Sequence, residues 1–354
     1  MLPFMMRPDQ MQQELTAFND KLARGLSTLS KIGPVEVGAS ARDAVYQEDK
    51  LVLYHYQPLV TEPFAIPVLI VYALVNRPYM ADLQHDRSMI RRLLEHGLDV
   101  YLIDWGYPDG ADRYLTLEDY ISGYIRRCVD VVRERHKVPA INLLGVCQGG
   151  SFSLCFAALY PERVKNLITM VTPVDFHVGN NILSQWGRNI DVDLMVETLG
   201  NVPGELLNMV FLALKPYRLM GQKYIDVVDI LPEPEQAKNF VRMEKWIFDS
   251  PNQAGEAFRQ FVREFFQKNG LVKGEVMIGD KRVDLRNVTM PVFNIYASED
   301  HLVPPDASKA LKACVGSADY SEMTFKGGHI GIYVSGRAQR DIPAGISEWL
   351  RARS

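Results

Sequence analysis

The residue Cys147 lies in a pattern that is typical of a catalytic nucleophile. It occurs in Gly145-Val-Cys147-Gln-Gly-Gly150, directly after the apolar run 140–144 and before a helical pattern. A nucleophile placed between a buried strand and a helix, with small residues on both sides, forms a nucleophile elbow. The helix N-terminus lowers the pKa of a thiol and stabilises an oxyanion. A free cysteine can equally be a small residue of the core, so the prediction depends on finding catalytic partners.

Two such partners follow Cys147 in the sequence. The apolar run 291–297 predicts a buried strand, and Asp300 comes soon after it. A shorter strand is predicted at 322–325, and His329 lies on the glycine-flanked loop that follows. Nucleophile, acid and base in this order are typical of hydrolase folds that carry a Ser-His-Asp triad on an α/β sheet. We therefore predict that Cys147, Asp300 and His329 form a catalytic triad.

Neighbouring residues offer alternatives for these roles. Glu299 is adjacent to Asp300, but its side chain points the other way if the strand continues. His301 lies on the same loop as Asp300, so we expect it to position groups or contact the substrate. Asp175 ends another predicted strand, and it either touches substrate or caps the first helix of the segment that follows.

An acyl-transfer site also needs donors for the oxyanion that forms on the attacked carbonyl. The backbone N–H of Gln148, which follows the nucleophile, is one such donor. The second is expected in the loop after the predicted strand 68–74, at Val75 or Asn76. We expect Asn76 and His301 to contact the substrate as well.

Strand and helix patterns alternate along most of the chain, which predicts a mostly parallel sheet with right-handed crossovers. The continuous apolar runs are typical of strands buried on both faces. The fold class is therefore α/β, specifically an α/β-hydrolase fold. A hairpin is predicted where two short strand patterns flank the Gly279-Asp280 turn. Predicted strands are 51–56, 68–74, 99–103, 140–144, 164–171, 291–297 and 322–325; predicted helices are 88–96, 117–136, 151–160 and 331–352.

The domain organisation follows from where this alternation stops. Residues 1–45 are polar and form a predicted helical arm, with Met11, Leu15, Phe18 and Leu22 at helical spacing. The hydrolase core is predicted at 46–176 and 273–354. Between them, residues 177–272 show apolar helical patterns without strands and predict an inserted lid. A lid of this kind excludes water from the chemistry.

Composition excludes several other classes of protein. The 354 residues are 47% hydrophobic, and the net charge of −4 leaves no basic patch for nucleic acid. The four cysteines form no Cys-x-x-Cys pair, so neither a metal site nor a disulfide framework is expected, and Cys128, Cys155 and Cys314 are assigned to apolar helix faces. The longest apolar run is about half the length that crosses a bilayer, and residues 1–14 do not resemble a signal peptide. We expect a cytoplasmic protein without a transmembrane segment.

Motifs along the chain resemble those of polyhydroxyalkanoate synthases, most closely the catalytic subunit of the short class III type. The resemblance covers the sequence from about residue 45 onwards. Compared with the longer members of that family, this sequence lacks a large N-terminal domain. The motifs are Gly145-Val-Cys147-Gln-Gly-Gly150, Ala73-Leu-Val-Asn-Arg-Pro78, Leu102-Ile-Asp-Trp-Gly-Tyr-Pro108, Thr169-Met-Val-Thr-Pro-Val-Asp175 and Gly327-Gly-His329-Ile-Gly331.

This resemblance implies the polymerisation of (R)-3-hydroxyacyl-coenzyme A, most closely the 3-hydroxybutyryl ester, with release of coenzyme A. Cys147 would be the nucleophile, His329 the base and Asp300 the acid. No cofactor is implied, since coenzyme A belongs to the substrate. The resemblance also implies a second, non-catalytic subunit, a homo-oligomer, and a location at the surface of polyester granules.

Two questions remain open from the sequence. Asp300 either orients His329 or helps to deprotonate the incoming 3-hydroxyl group. A thiol hydrolase of the same fold, similar to dienelactone hydrolases, is an alternative function. Another alternative is a non-catalytic granule-coat or scaffold protein. It would use the apolar segment 177–272 as an adhesive surface.

Overall fold

The computed structural model describes residues 8–179 and 181–354. Within these residues, eight strands form one large sheet and four short strands form two separate hairpins. Each strand predicted from the sequence recurs as a strand, with ends that differ by at most three residues. The strands are β1 Arg42–Glu48, β2 Leu51–Tyr56, β3 Val68–Val71, β4 Asp82–Gln84, β5 Arg87–Ser88, β6 Val100–Asp104, β7 Ile141–Val146, β8 Val164–Met170, β9 Met277–Ile278, β10 Lys281–Arg282, β11 Val292–Ala297 and β12 Tyr320–Phe325.

The large sheet has the strand order β1-β2-β6-β3-β7-β8-β11-β12. The six strands from β6 to β12 in this order pair in parallel, and β2 and β1 add an antiparallel edge. Parallel strands are joined by crossovers that cover both faces with helices, which explains their continuous apolar runs. The structure thus confirms the predicted α/β-hydrolase class.

Hydrophobic clusters cover both faces of this sheet. Leu69 and Val71 of β3 belong to one cluster, whereas Val68 and Ile70 belong to another. Because successive side chains of a strand point to opposite faces, the two clusters lie on opposite sides of the sheet. The central strands are therefore held rigidly between two apolar layers.

Fifteen α-helices are present in the described residues, together with shorter turns of other helical types. Two predicted helices are divided. The predicted helix 117–136 begins with a π-helical turn at Asp119–Ile125, and the last predicted helix is interrupted at Ser335, whose side chain caps the following helix. The α-helices are α1 Pro8–Lys31, α2 Met89–Glu95, α3 Arg126–His136, α4 Gln148–Leu159, α5 Ile182–Asn189, α6 Val192–Leu199, α7 Gly204–Ala213, α8 Lys223–Ile230, α9 Pro234–Phe248, α10 Gly255–Phe261, α11 Gly270–Lys273, α12 Pro305–Lys309, α13 Leu311–Cys314, α14 Gly331–Val334 and α15 Gly336–Arg351.

Helices α5 to α11 form what we call the inserted segment, which follows β8 and precedes the hairpin of β9 and β10. An aromatic cluster packs the second half of the inserted segment against the sheet. The Phe265 ring lies 4.6 Å from that of Phe261 and 5.6 Å from that of Phe176, which immediately precedes the predicted lid. Phe261 in turn contacts Phe152 of helix α4, at 5.8 Å between ring centroids. The inserted segment is thus anchored on the helix that follows Cys147.

The N-terminal helix α1 packs against α8 and α9 of the inserted segment. Leu29 and Ile32 join a small apolar cluster there, and Lys21 forms an ion pair with Asp229 at 2.7 Å. The predicted apolar face is only partly used, because Leu15 and Phe18 remain exposed. The side chain of Met11 and residues 1–7 of the predicted arm lie outside the described residues. Strand β1 begins before residue 45 and pairs with β2, so the sheet starts inside the predicted arm.

Helix lengths and hydropathy also bear on membrane insertion. Across residues 8–179 and 181–354, none of the helices combines the length and the apolar character needed to cross a bilayer.

The aromatic cluster leads to a prediction about stability. Phe265 is 0% exposed, so Phe265→Ala should leave a cavity and lower the free energy of unfolding by about 3–5 kcal/mol. Phe248→Ala, on the same segment but 55% exposed, should change it by less than about 0.5 kcal/mol. Urea denaturation of both variants measures the difference. Equal effects of the two substitutions would contradict the packing described here.

Candidate active site

The candidate site lies at one edge of the sheet, where four parallel strands end. Strands β3, β7, β11 and β12 all pair in parallel with their neighbours, so their carboxyl ends lie at the same edge. Cys147 follows β7, Asp300 follows β11 and His329 follows β12. Val75 comes after β3 at the same edge. The crevice beyond the carboxyl ends of strands is where ligands bind in open α/β sheets.

Cys147 occupies a strained backbone position between β7 and α4. Its φ of 53° and ψ of −123° lie outside the regions that L-residues normally adopt. The backbone is held on both sides: Cys147 N–H donates to Met170 O at 2.9 Å, and Gly150 N–H donates to Cys147 O at 2.9 Å. Strain of this kind costs about 1–3 kcal/mol and persists only where the surrounding structure enforces it.

The glycines around Cys147 are required by close packing. A Cβ atom on Gly145 would lie 2.5 Å from the Cα of Gly150, and one on Gly149 would lie 2.6 Å from the carbonyl carbon of Tyr72. On Gly150 it would overlap the side chain of Thr172, with 2.7 Å to its Cβ. Strand, helix and neighbouring loops can therefore approach closely only because no side chain intervenes.

Asp300 and His329 form a buried pair. The Nδ1 of His329 donates to Oδ2 of Asp300 at 2.6 Å. The other carboxylate oxygen, Oδ1, accepts the backbone N–H groups of Leu302 and Val303, both at 2.9 Å. The Asp300 side chain is 0% exposed. Its two oxygens are thus both engaged, and they fix the orientation of the imidazole.

The environment of His329 favours its protonated form. Burial alone lowers the pKa of a histidine, since the charged ring loses its hydration. The negative charges of Asp300 and Cys147, and the hydrogen bonds of His329 with both, act in the opposite direction and raise the pKa to about 10. Because Nδ1 is bound to Asp300, the ring faces Cys147 through Nε2.

Cys147 and His329 open into a cavity of about 670 Å³. Most of the wall is apolar and comes from the inserted segment, including Trp186, Leu207 and Phe258. Such a volume is suited to a small organic ligand or to a portion of a longer one. Cys147 therefore faces a space that is poor in groups able to hold water.

The other predicted site residues lie around the same cavity. Val75, Asn76, Gln148 and His301 all contribute to its wall. The Asn76 side chain donates to Ser250 Oγ at 2.7 Å and to Ile247 O at 3.2 Å, so its amide binds the inserted segment. The oxyanion roles of Val75 and Gln148 and the substrate contacts of Asn76 and His301 stay predictions.

Side-chain positions bear on two alternatives from the sequence. Glu299 is exposed, whereas Asp300 is buried against His329. Asp175 does not cap the first inserted helix, because the side chain of Asn181 accepts the capping hydrogen bond from Ser184 N–H at 2.8 Å. Asp175 instead accepts bonds from His177 N–H and Asn269 Nδ2, both at 2.8 Å, and lines the cavity.

The other cysteines differ from Cys147 in their surroundings. Cys128 and Cys155 are fully buried in the core, and burial raises the pKa of each thiol. Cys314 is half-buried, and burial raises the pKa of its thiol as well. Throughout the two described ranges, no cluster of three or more His, Cys, Asp or Glu is arranged to hold a metal ion.

Sequence reasoning missed two residues that border the site, Gln253 and Trp246. Gln253 Nε2 donates to Leu74 O at 2.9 Å, and Trp246 Nε1 donates to Arg77 O at 2.8 Å. Both residues belong to the inserted segment, more than 160 residues from the loop that they bind. No signal in the sequence marks either residue, and Gln253 follows the polar stretch Asp249-Ser-Pro-Asn252.

Two family models match the sequence. The model described as the alpha/beta hydrolase fold matches residues 66–335. The model described as the poly-beta-hydroxybutyrate polymerase (PhaC) N-terminus matches residues 8–93. Together the two matches extend over most of the chain, including all the site residues.

The chain is similar over its whole length to curated proteins. It is 58% identical over 355 residues to the poly(3-hydroxyalkanoate) polymerase subunit PhaC of Allochromatium vinosum, with 100% of both chains covered. It is 53% identical over 364 residues to the protein of the same name from Synechocystis, with 100% of this chain and 96% of the relative covered. Among solved structures, a monoacylglycerol lipase from Paleococcus ferrophilus has a TM-score of 0.52 at 16% identity, covering 83% of this chain and 96% of its own; the likeness is one of fold.

The pair of Asp300 and His329 leads to a prediction about ionisation. Asp300→Asn removes a carboxylate charge that raises the pKa of His329, while burial, which lowers it, remains. The pKa of His329 should fall from about 10 by roughly one to three pH units. NMR titration of ring-labelled histidine measures the change, with His329→Gln used to assign the signal.

A matched control uses a carboxylate on another part of the surface. Asp319 pairs with Arg353 at 2.7 Å, so Asp319→Asn should leave the pKa of His329 unchanged. An unaltered His329 titration in Asp300→Asn would refute the electrostatic account given above.

The elbow glycines lead to a second prediction. Gly150→Ala introduces a methyl group into the side chain of Thr172 and should lower the free energy of unfolding by about 1–3 kcal/mol. Gly336→Ala is the control, since no atom lies within 4 Å of its Cβ position; it should be neutral or slightly stabilising. Thermal or urea denaturation compares them, and a tolerated Gly150→Ala would show that the elbow is less tightly packed than described.

Proposed function

The chain belongs to the family of poly(3-hydroxyalkanoate) polymerase subunits with an α/β-hydrolase fold, and from this premise we propose that it polymerises (R)-3-hydroxyacyl-coenzyme A through a thioester on Cys147. Membership confirms the family inferred from the sequence motifs and the prediction of an acyltransferase. The 3-hydroxybutyryl ester is the proposed substrate. No cofactor is proposed, because coenzyme A is the leaving group of the substrate.

The observation that carries this proposal is the arrangement of Cys147, His329 and Asp300 at the bottom of an apolar cavity. Cys147 has a strained backbone conformation and lines the cavity. His329 is bonded to Asp300 and faces the thiol. This is the geometry of an activated nucleophile, a base and an orienting acid.

In the proposed acylation step, Cys147 Sγ attacks the thioester carbonyl carbon of the substrate. The carbonyl oxygen becomes an oxyanion that the N–H groups of Val75 and Gln148 stabilise. When the tetrahedral intermediate collapses, the bond to the coenzyme A sulfur breaks. The departing sulfur takes the proton from His329, which leaves the acyl group on Cys147.

In the proposed elongation step, the 3-hydroxyl oxygen of another unit attacks the acyl carbon on Cys147. His329, now neutral, accepts the hydroxyl proton, an ester bond forms, and the thiolate of Cys147 is released. His329 thus ends the cycle protonated, as it began. Its elevated pKa of about 10 is consistent with this resting state.

A cysteine fits this chemistry better than a serine for thermodynamic reasons. Transfer from coenzyme A to Cys147 exchanges one thioester for another, with little change in free energy. The acyl group therefore stays activated towards the next hydroxyl group. A serine ester would already have the energy of the product bond and would leave less drive for elongation.

Of the two roles open to Asp300, orientation of His329 is the one that we propose. Its Oδ2 accepts from His329, and its Oδ1 accepts from two backbone N–H groups. The side chain has no exposed surface. A substrate hydroxyl could reach this carboxylate only after these hydrogen bonds were broken.

Several features of the cellular setting are also proposed. The inserted segment would act as a lid that keeps water from the acyl-enzyme, in agreement with its apolar contribution to the cavity. The curated relatives are named as subunits, which supports a second, non-catalytic subunit. A homo-oligomer located in the cytoplasm at the surface of polyester granules completes the proposal.

Labelling of the nucleophile tests the proposed reaction. Incubation with radiolabelled 3-hydroxybutyryl-coenzyme A should place label on the wild-type chain, and Cys147→Ala should retain none, because it lacks the acceptor sulfur. Cys155→Ala, which removes a buried thiol in the same helix, should still be labelled. Acid-quenched gel electrophoresis and peptide mapping detect the label.

The products decide between the proposed function and its alternatives. Insoluble polyester together with free coenzyme A is the expected result. Free 3-hydroxy acid as the main product would identify a thiol hydrolase. Label retained on Cys147→Ala would exclude Cys147 as the acyl carrier.

A further inference from the structure

We propose that Gln253 and Asn76 are positioning residues that hold the loop Leu74–Arg77 in the shape needed for oxyanion binding. The inserted segment would then do more than cover the cavity, because its contacts would complete the acylation site. This inference rests on the proposed function, in which the N–H of Val75 is an oxyanion donor.

The loop Leu74–Arg77 begins just after β3 and has an unusual backbone conformation. Asn76 has a φ of 58°, which an asparagine adopts more readily than most residues. At the start of the loop, Leu74 N–H donates to the side-chain Oε1 of Gln148 at 3.0 Å. The residue next to the nucleophile therefore ties the loop to helix α4.

The inserted segment binds the same loop at both ends. Gln253 Nε2 donates to Leu74 O at 2.9 Å, and Trp246 Nε1 donates to Arg77 O at 2.8 Å. Both side chains are buried, with 3% and 5% of their surface exposed. Buried hydrogen bonds of this kind are costly to break, since each leaves a polar group without a partner.

Asn76 adds a connection from the middle of the loop. Its Nδ2 donates to Ile247 O at 3.2 Å and to Ser250 Oγ at 2.7 Å. Ser250 Oγ in turn donates to Asn208 Oδ1 at 2.7 Å, which links two helical regions of the inserted segment. The end of helix α9 and the residues after it are thus joined to the loop that carries Val75.

A nearby carboxylate strengthens the same junction. Asp249 accepts hydrogen bonds from the phenolic groups of Tyr79 at 2.9 Å and Tyr107 at 2.6 Å. Both tyrosines belong to the hydrolase core, outside the inserted segment. Displacement of residues 246–253 would therefore break several hydrogen bonds at once and would release Leu74, Asn76 and Arg77 together.

These contacts fix the residues on either side of Val75. The Val75 N–H belongs to the same planar peptide unit as the Leu74 C=O, so the hydrogen bond from Gln253 to Leu74 O holds its direction. An oxyanion donor must be placed to within a fraction of an ångström before the reaction, because its value lies in preorganisation. Seating of the inserted segment and assembly of the oxyanion site are consequently one event.

Two reactions of Cys147 separate this role from a merely structural one. Acylation develops an oxyanion, whereas alkylation by iodoacetamide at its methylene carbon does not. Gln253→Met keeps the side-chain volume and the backbone pairing with Val202 but removes the donor to Leu74 O. Asn76→Asp replaces the donor to the α9 carbonyl groups by a negatively charged acceptor.

In both variants the rate constant for acylation by 3-hydroxybutyryl-coenzyme A should fall about 10- to 100-fold. For Gln253→Met, KM should change by less than about threefold, and the rate of alkylation by less than about twofold, because the thiol and His329 are not disturbed. Stopped-flow and quench experiments measure the first reaction, and mass spectrometry of the alkylated peptide measures the second.

Gln260→Met is the matched control. Gln260 lies on the same inserted segment, and its Oε1 accepts from Leu117 N–H at 2.8 Å, away from the loop. Both reactions should stay within about twofold of wild type. Equal losses of acylation and alkylation in Gln253→Met, or no loss of acylation in both test variants, would overturn the inference.

A second acyl donor keeps this test independent of the natural substrate. p-Nitrophenyl butyrate also forms an oxyanion when Cys147 attacks it. If the coenzyme A ester failed to acylate the wild-type chain, the proposed function would fail. A selective loss of acylation by the aryl ester in Gln253→Met would still support the positioning role, and its absence would refute it.

Discussion

The close crossing of β7 and helix α4 is the constraint on which the site depends. Cys147 adopts a strained backbone conformation at this crossing. The neighbouring glycines pack so closely against Tyr72 and Thr172 that no side chain would fit in their place. The cost of the strain is met by the surrounding packing, since β7 is buried between two apolar layers. The geometry of Cys147 is therefore set by the fold itself.

The buried pair of Asp300 and His329 adds to this rigidity. Asp300 is bound by His329 and by its own loop, and the imidazole is therefore fixed in one orientation. Burial opposes the charge on His329, but Asp300 and Cys147 together outweigh it. The result is a charged pair that survives in an apolar cavity because each member has a partner. A single buried charge there would be costly.

The inserted segment ties these parts to the substrate space. Its aromatic cluster rests on helix α4 through Phe152, and its later residues bind the loop after β3. The same segment provides most of the apolar cavity wall. The shape of the cavity and the contacts of the loop after β3 consequently depend on one body of helices. This would suit the proposed reaction, in which an acyl-enzyme must be protected from hydrolysis.

By itself the sequence determined the parallel sheet, the turn at Cys147, and the places of Asp300 and His329 after their strands. These features are encoded locally: apolar runs mark buried strands, and glycines mark close approach. The choice of Asp300 over Glu299 followed from strand alternation and agrees with their burial. Only the tertiary structure decided that Asn181 caps the first inserted helix and that Gln253 binds Leu74 O. Gln253 and Leu74 are 179 positions apart in the sequence. A hydrogen bond between residues so far apart leaves no periodic or compositional signal in the chain.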